Sequence, residues 1–277
     1  MQDDELPSMP LIGHLTELRT RLIRALAGVA VAYGISLTFT GPLWKFVCEP
    51  AAQALKAAGY PPILYMIDPM DPFNIIWFKL PVVVAIFLSA PWILYQAWAF
   101  IAPGLYRNER RWAAPLILCS ALLFIAGGVF AYFVLFRYGL TFLLGIGHDE
   151  GIGAMVSMNY YFALFVDVVL GVGVMFELPM LIFLLTVIGL VTPRFLVRNS
   201  RYAILVIFLL AAVITPTSDV MNLTLLAAPM CGLFALGVFG SYLYTLHREE
   251  RSLPWVYTLV GVTGAGAAGY LVWKKLK

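Results

Sequence analysis

Charged side chains are scarce in this sequence of 277 residues. They make up 12% of it, against about 25% in a typical soluble domain, whereas hydrophobic residues make up 62%, against about 45–50%. This composition excludes a water-soluble globular protein. The 18 lysines and arginines and the 15 acidic residues leave a formal net charge of only +3. Because these charges are balanced and dispersed, no nucleic-acid-binding surface is expected.

Sequence motifs of metal, disulfide and catalytic chemistry are also missing. The cysteines and histidines are Cys48, Cys119, Cys231, His14, His148 and His247. The cysteines form no CxxC or Cys/His spacing, so neither a zinc site nor a disulfide framework is predicted. The histidines are expected near the membrane interfaces or outside, and the sequence contains no phosphate-binding loop, HExxH or GxSxG motif. The sequence therefore predicts no enzyme, no metal and no cofactor.

Long apolar runs predict helices that cross a membrane. A hydrocarbon core of about 30 Å needs roughly 20 apolar helical residues. Charge-free runs cover residues 25–44, 80–106 and 112–136, and stretches with very few charges cover residues 151–193 and 202–246. The last stretch contains the turn-forming cluster 215–219, so it is expected to fold back, with a fifth helix of only about 13 residues. The prediction is an all-α polytopic membrane domain over residues 1–246, with six spans and residues 45–71 as its longest external segment.

The distribution of basic residues predicts the orientation, because short cytoplasmic loops carry the excess of arginine and lysine. One set of loops contains Arg19, Arg21, Arg24, Arg107, Arg110, Arg111, Arg194, Arg198, Arg201, Arg248 and Arg251. The opposite side contains fewer, namely Lys45, Lys56, Lys79 and Arg137. This pattern predicts a cytoplasmic N-terminus and a single crossing for residues 151–193, tilted or bent near Pro179.

Two apolar segments lie outside these six spans. Leucines at positions 11, 15, 18 and 22 share a helix face, so residues 8–22 are predicted to form an amphipathic helix on the cytoplasmic surface. Both an extension that anchors the first span and a binding role remain open for it. Residues 247–277 form a C-terminal extension, and the sequence leaves open whether residues 254–273 add another membrane helix.

Two acidic residues, Asp167 and Glu177, lie inside the fourth predicted span. A charge at the bilayer centre costs roughly 2.5–3.5 kcal/mol, so an acid there is a candidate functional residue. Pro179 frees a backbone carbonyl beside Glu177, which makes this position polar. The alternative for Glu177 is a protonated carboxyl bonded to a neighbouring helix, and for Asp167 it is a position near a wet end of the span.

Two further acids, Glu17 and Glu109, lie among arginines on the predicted cytoplasmic side. Solvated helix ends with weak surface ion pairs are one interpretation of this pattern. Alternatively, two carboxylates on one face can bind two guanidinium groups of a ligand, because the planar guanidinium pairs with a carboxylate in bidentate geometry.

Four segments together resemble one family: His14–Arg21 (HLTELRTR), Trp98–Arg111 (WAFIAPGLYRNERR), Phe176–Pro179 (FELP) and Thr215–Pro216 before the sixth span. Their order and topology resemble TatC, the core subunit of the twin-arginine protein translocase, from about residue 11 to residue 246. The resemblance implies a glove-like six-helix bundle in the bacterial inner membrane. It also implies a receptor for twin-arginine signal peptides that exports folded proteins, with the proton gradient used through its partners.

The resemblance also implies roles for individual residues. The signal-peptide site would comprise Glu17, Arg19, Phe100, Pro103, Leu105 and Glu109. Glu177 with Pro179 would form a polar position on the concave face, and Asp167 lies outside the family pattern. The single-span subunits TatA and TatB are expected to dock along spans five and six, near Thr215, Asp219 and Asn222, in homo- and hetero-oligomers.

A proton-coupled secondary transporter of a small solute is the alternative function, because six spans and two intramembrane acids would also serve such a carrier. Carriers of this kind usually contain inverted repeats, and the two halves of this sequence show no convincing similarity. A scaffold with inert acids is the third interpretation.

Overall fold

The computed structural model describes residues 11–101, 113–215 and 219–248, and the regular elements within these ranges are helices. In chain order the α-helices are α1 (Leu11–Leu37), α2 (Thr40–Ala57), α3 (Asp71–Asn74), α4 (Leu80–Ile101), α5 (Ala113–Phe130), α6 (Leu140–Asp149), α7 (Met158–Met175), α8 (Leu178–Val187), α9 (Pro193–Arg198), α10 (Ser200–Ile214) and α11 (Val220–Arg248). Two π-helical segments, Ile75–Lys79 and Ala131–Gly139, continue α3 into α4 and α5 into α6. The all-α fold class is therefore confirmed.

Five helical stretches in the described ranges are long and apolar enough to cross a membrane: Gly13–Leu37, Asp71–Ile101, Pro115–Asp149, Met158–Val187 and Val220–Leu246. The predicted fifth span corresponds to the shorter helix Ser200–Ile214, which has 15 residues. At 1.5 Å per residue this helix covers about 22 Å, less than a hydrocarbon core of about 30 Å. Six crossings therefore stay a prediction.

Several helices differ in length from the runs that predicted them. The helices that cover the described parts of runs 80–106 and 112–136 extend outward past Lys79 and Arg137, where a charge interrupts the apolar pattern but not the backbone hydrogen bonds. The amphipathic segment is not a separate helix, because α1 is continuous from Leu11 to Leu37. The described part of this segment, from Leu11 onward, is therefore an extension of the first span.

The predicted external segment 45–71 contains most of a helix that the sequence analysis missed. Helix α2 includes Pro50, which has no N–H to donate to the carbonyl of Phe46. The Tyr132 hydroxyl donates a 2.8 Å hydrogen bond to that carbonyl, and the Tyr161 hydroxyl donates one of 2.6 Å to the carbonyl of Val47. Two tyrosines from distant parts of the chain therefore stabilise α2 where its own hydrogen bonding is interrupted.

Cys48 lies on α2 beside this contact, and burial raises the pKa of its thiol to about 12. Since the thiolate is the reactive form, a raised pKa keeps Cys48 protonated and slow to react across the neutral range. We expect a membrane-impermeant maleimide at pH 7.5 to label Cys48 far more slowly than Gln53→Cys, an exposed position on the same helix. Both chains would carry serine at the other native cysteines, and equal labelling rates would contradict the half-buried position of Cys48.

The chain divides into two compact units, residues 1–174 and residues 175–277. In the first unit, α1 and α4 pack antiparallel. Trp92 Nε1 donates to the Arg24 carbonyl at 2.8 Å, and Ser36 Oγ donates to the Pro81 carbonyl at 2.9 Å. Near the first of these contacts a Cβ built on Gly28 would lie 2.2 Å from Trp92 Cδ1, so glycine is what permits this close approach.

The loops at the other end of the first unit are joined by backbone hydrogen bonds. The Tyr65 N–H donates to the Val156 carbonyl, and the Met158 N–H donates to the Tyr65 carbonyl, both at 2.9 Å. The Tyr60 hydroxyl donates to the Ile152 carbonyl. The segment after α2 and the segment before α7 are therefore held together, although about 90 residues separate them.

In the second unit, α8 packs against α11 through small and polar residues. A Cβ built on Gly237 would lie 2.9 Å from the Cα of Pro179. One helical turn further along α11, the hydroxyls of Ser241 and Thr186 share a buried 2.6 Å hydrogen bond. Small residues permit close contact between membrane helices, and buried hydroxyls need such partners.

Candidate functional site

The start of α1 and the end of α4 lie at the same end of their antiparallel pair. The rings of His14 and Phe100 stack with centroids 4.4 Å apart and planes at 23°. One turn toward the centre of α4, Gln96 Oε1 accepts a 3.4 Å hydrogen bond from Arg21 Nη1. The start of the first span and the end of the second are thus adjacent, as a shared binding face requires.

Glu17 lies on the face of α1 that includes Arg21. The Arg21 Nη2 and Glu17 Oε1 atoms are 3.3 Å apart, and the Glu17 side chain is 20% exposed. An open groove of about 550 Å³ runs beside it, lined by Gly13, Thr16, Glu17, Thr20, Arg21 and Arg24. The groove therefore offers a carboxylate to a cationic ligand, in surroundings that are otherwise basic.

The other predicted members of this site are placed as follows. Phe100 is held by the stacking on His14. Arg19 is exposed on α1 and is not among the residues that line the groove. Pro103, Leu105 and Glu109 lie outside the described residues. The structure thus brings Glu17 and Phe100 to the same end of one helix pair.

Gln96, which shares Arg21 with Glu17, was missed in the sequence analysis. It is 2% exposed, and buried polar side chains in native structures are hydrogen-bonded. A signal for it was present in the sequence, because Gln96 is the only side-chain amide in the apolar run 80–106. The sequence did not reveal which residue Gln96 contacts, because that partner, Arg21, lies 75 residues away on another helix.

Glu177 occupies the two-residue turn between α7 and α8, directly before the first residue of α8. The Glu177 carbonyl accepts a 2.9 Å hydrogen bond from the Leu181 N–H, so it begins the helix. Pro179 is buried at the second position of α8, where its missing N–H costs nothing. The break therefore falls at residues 176–177, close to the bend predicted near Pro179.

Asp167 is exposed on α7, in the first unit. It lies well inside the candidate span Met158–Val187. In the described ranges, no group of three or more His, Cys, Asp or Glu side chains could hold a metal ion.

The three residues predicted to contact partner subunits stabilise the end of α10 and the start of α11. The Thr215 hydroxyl donates to the Ala211 carbonyl at 2.7 Å, at the end of α10. Asp219 caps α11, because its Oδ1 accepts a 2.7 Å bond from the Asn222 N–H and its Oδ2 accepts a 2.9 Å bond from Asn222 Nδ2. These hydrogen bonds within the chain are sufficient to explain why threonine, aspartate and asparagine occupy these three positions.

Comparison with known proteins identifies the family. The family model described as Sec-independent protein translocase protein (TatC) matches residues 13–229. TatC of Koribacter versatilis (strain Ellin345) is 38% identical over 251 residues, 91% of each chain. TatC of Escherichia coli (strain K12) is 37% identical over 246 residues, 88% of this chain and 93% of its own.

A solved structure agrees with these sequence relatives. A crystal structure of the twin-arginine translocase receptor TatC in DDM superposes with a TM-score of 0.72 at 33% identity, covering 82% of this chain and 99% of that one. Because the family model covers most of the chain and the relatives match it over nearly their whole length, this multi-pass membrane protein belongs to the non-enzymatic TatC family and is a core component of a Sec-independent protein translocase.

Proposed function

We propose that the groove beside Glu17 binds the arginine pair of twin-arginine signal peptides at the cytoplasmic face of the bacterial inner membrane. The observation that carries this proposal is the position of the Glu17 carboxylate, 20% exposed at the end of the α1–α4 pair where the two motif segments meet. Carboxylates form short, charge-assisted hydrogen bonds with guanidinium groups, and arginine presents its donors in a planar fork that matches them.

Glu109 supplies the second carboxylate in this proposal. The segment that carries it leaves α4 at Ile101, directly after Phe100, whose ring stacks on His14. An extended chain spans at most about 3.3–3.6 Å per residue, so the segment from Ile101 to Glu109 has a reach of up to about 26–29 Å. That length permits Glu109 to lie beside Glu17, with Arg19, Pro103 and Leu105 in the same proposed site.

The orientation in this proposal follows the arginines, which favour the cytoplasmic side for the start of α1. The twin-arginine substrate then meets Glu17 before it crosses the membrane. Export of the folded protein uses the proton gradient through TatA and TatB, which dock along α10 and α11. Supporting this docking, Val213 on α10 is 82% exposed and Val220 on α11 is 77% exposed, so both helices present apolar surface beside their shared turn.

In the same proposal, Glu177 and Pro179 promote local thinning of the bilayer. The break at residues 176–177 places a carboxyl and an interrupted helix inside the span Met158–Val187. Helix α10 covers only about 22 Å, so a bilayer around it must thin to match. Both features favour a thinned and hydrated membrane beside α8 and α10.

Substituting Glu17→Gln tests the signal-peptide site. The isosteric amide keeps the shape of Glu17 but removes its charge, and a hydrogen bond to a charged group is worth about 1.5–3 kcal/mol. We expect the affinity for a synthetic twin-arginine signal peptide, measured with the full chain in membrane vesicles, to fall about 10- to 100-fold.

Glu49→Gln is the matched control, because Glu49 is an exposed glutamate on α2, the helix that follows the opposite end of α1. It is expected to leave peptide binding unchanged. Unchanged binding in Glu17→Gln, in protein that inserts normally, would refute the role of this carboxylate.

A further inference from the structure

We infer that Arg21 competes with the signal peptide for Glu17. The Arg21 guanidinium pairs with the Glu17 carboxylate in the empty receptor and leaves it when an arginine of the signal peptide binds. This inference rests on the proposed function of Glu17, and it assigns to Arg21 the regulation of that site. The incoming ligand and the resident side chain are chemically the same group, so each can take the place of the other at the carboxylate.

The contacts of Arg21 are suited to exchange. Its Nη2 lies 3.3 Å from Glu17 Oε1, and its Nη1 lies 3.4 Å from Gln96 Oε1. Strong charge-assisted hydrogen bonds between nitrogen and oxygen are about 2.7–2.9 Å long. The guanidinium is therefore shared between two acceptors, and both contacts are longer than that.

Gln96 provides the position that Arg21 keeps after exchange. The amide is 2% exposed, and a buried carbonyl oxygen without a donor costs free energy. Arg21 is able to release Glu17 and still donate to Gln96, so exchange breaks one ion pair without leaving a buried acceptor unsatisfied. Without Gln96, the released Arg21 would lose this second partner.

The charges around the groove give Arg21 a direct effect on the ligand. Among the described residues, the ionisable side chains that line it are Glu17, Arg21 and Arg24, one acid and two bases. While Arg21 pairs with Glu17, this carboxylate is neutralised and Arg24 adds a positive charge, so these three side chains together repel a dicationic peptide. A ligand that binds must therefore outcompete Arg21, which lowers the apparent affinity of the empty receptor.

A positioning role for Arg21 predicts the opposite result. If Arg21 orients Glu17 for the ligand, removing Arg21 weakens binding. If Arg21 competes with the ligand, removing it strengthens binding. The sign of the effect therefore distinguishes the two roles.

The experiment measures the affinity of a fluorescent synthetic twin-arginine signal peptide for the full chain in lipid nanodiscs. For Arg21→Gln we expect binding about two- to five-fold tighter, the size of a partly exposed ion pair. In a Glu17→Gln background the same substitution is expected to bring only the charge effect that Arg24→Gln also brings, because the contested carboxylate is gone. Arg24→Gln is the matched control for charge alone: its gain is expected to persist in the Glu17→Gln background and to disappear in 1 M salt.

Weaker or unchanged binding in Arg21→Gln overturns the inference, as does a gain that stays larger than that of Arg24→Gln in the Glu17→Gln background. If Arg21→Gln does not insert into the membrane, Gln96→Leu decides: loss of the second acceptor should leave Arg21 on Glu17 and weaken binding, and equal or tighter binding overturns the inference. The proposed function fails separately, when Glu17→Gln by itself leaves peptide affinity unchanged.

Discussion

Replacing Gly28 with leucine is expected to abolish export of a folded twin-arginine reporter in cells that have this chain as their only member of the TatC family. A Cβ at this position would lie 2.2 Å from Cδ1 and 2.7 Å from Nε1 of Trp92. Nε1 also donates to the Arg24 carbonyl, so the ring is not free to turn away without losing that bond. Either α1 separates from α4 or the ring leaves its position, and overpacking of this kind costs about 1–3 kcal/mol, occasionally more.

The consequence reaches the candidate site because the same two helices hold it. His14 stacks on Phe100 and Arg21 binds Gln96 across the α1–α4 contact. Separation of the helices would move Glu17 away from the end of α4. We therefore expect signal-peptide binding to be lost together with export, and the thermal stability of the purified protein to fall.

Gly34→Leu is the matched control for this substitution. It makes the same change on the same helix, but a Cβ at Gly34 has no neighbour within 4 Å. Both variants gain the same helix propensity, so their difference reports the contact with Trp92. Adding Trp92→Ala to Gly28→Leu should restore part of the lost export. Normal export by Gly28→Leu would show that α1 and α4 do not pack in this register.

Replacing Gly237 with leucine is the second change for which a large loss of export is expected. Here the Cβ would lie 2.9 Å from the Cα of Pro179, which is backbone and cannot rotate aside. Helix α8 would have to move away from α11, and the buried hydrogen bond between Thr186 and Ser241 would break. Thr186 keeps the carbonyl of Ile182 as a partner, but a buried hydroxyl without one costs about 1–3 kcal/mol, so the loss at Ser241 adds to the packing loss.

This displacement also moves Glu177, which directly precedes α8 and whose carbonyl begins that helix. Export and detergent stability are both expected to fall, while signal-peptide binding at the first unit is retained. Gly232→Leu on the same helix is the control, because its Cβ would meet nothing within 4 Å. Equal stability of the two variants would contradict the α8–α11 contact, and a loss of peptide binding in Gly237→Leu would show that the effect is not confined to this helix pair.

Family membership replaces the secondary-transporter alternative that six spans and two acids had left open. The motif around Glu17 and the motif around Phe100 predicted the family correctly because each requires particular residue types at consecutive positions. Asp167, by contrast, lies outside the family pattern and is exposed on α7, and its role stays a prediction.

The sequence alone determined which segments are apolar enough to cross a membrane and which residues mark the family. Both are local properties, because a helix in lipid satisfies its backbone within one segment and a charge there is costly at its own position. The tertiary structure alone decided which side chains meet: Arg21 with Gln96, Gly28 with Trp92, and two tyrosines with α2. Such contacts depend on the register between helices that are distant in the chain, and the periodicity of one helix does not specify its register against another.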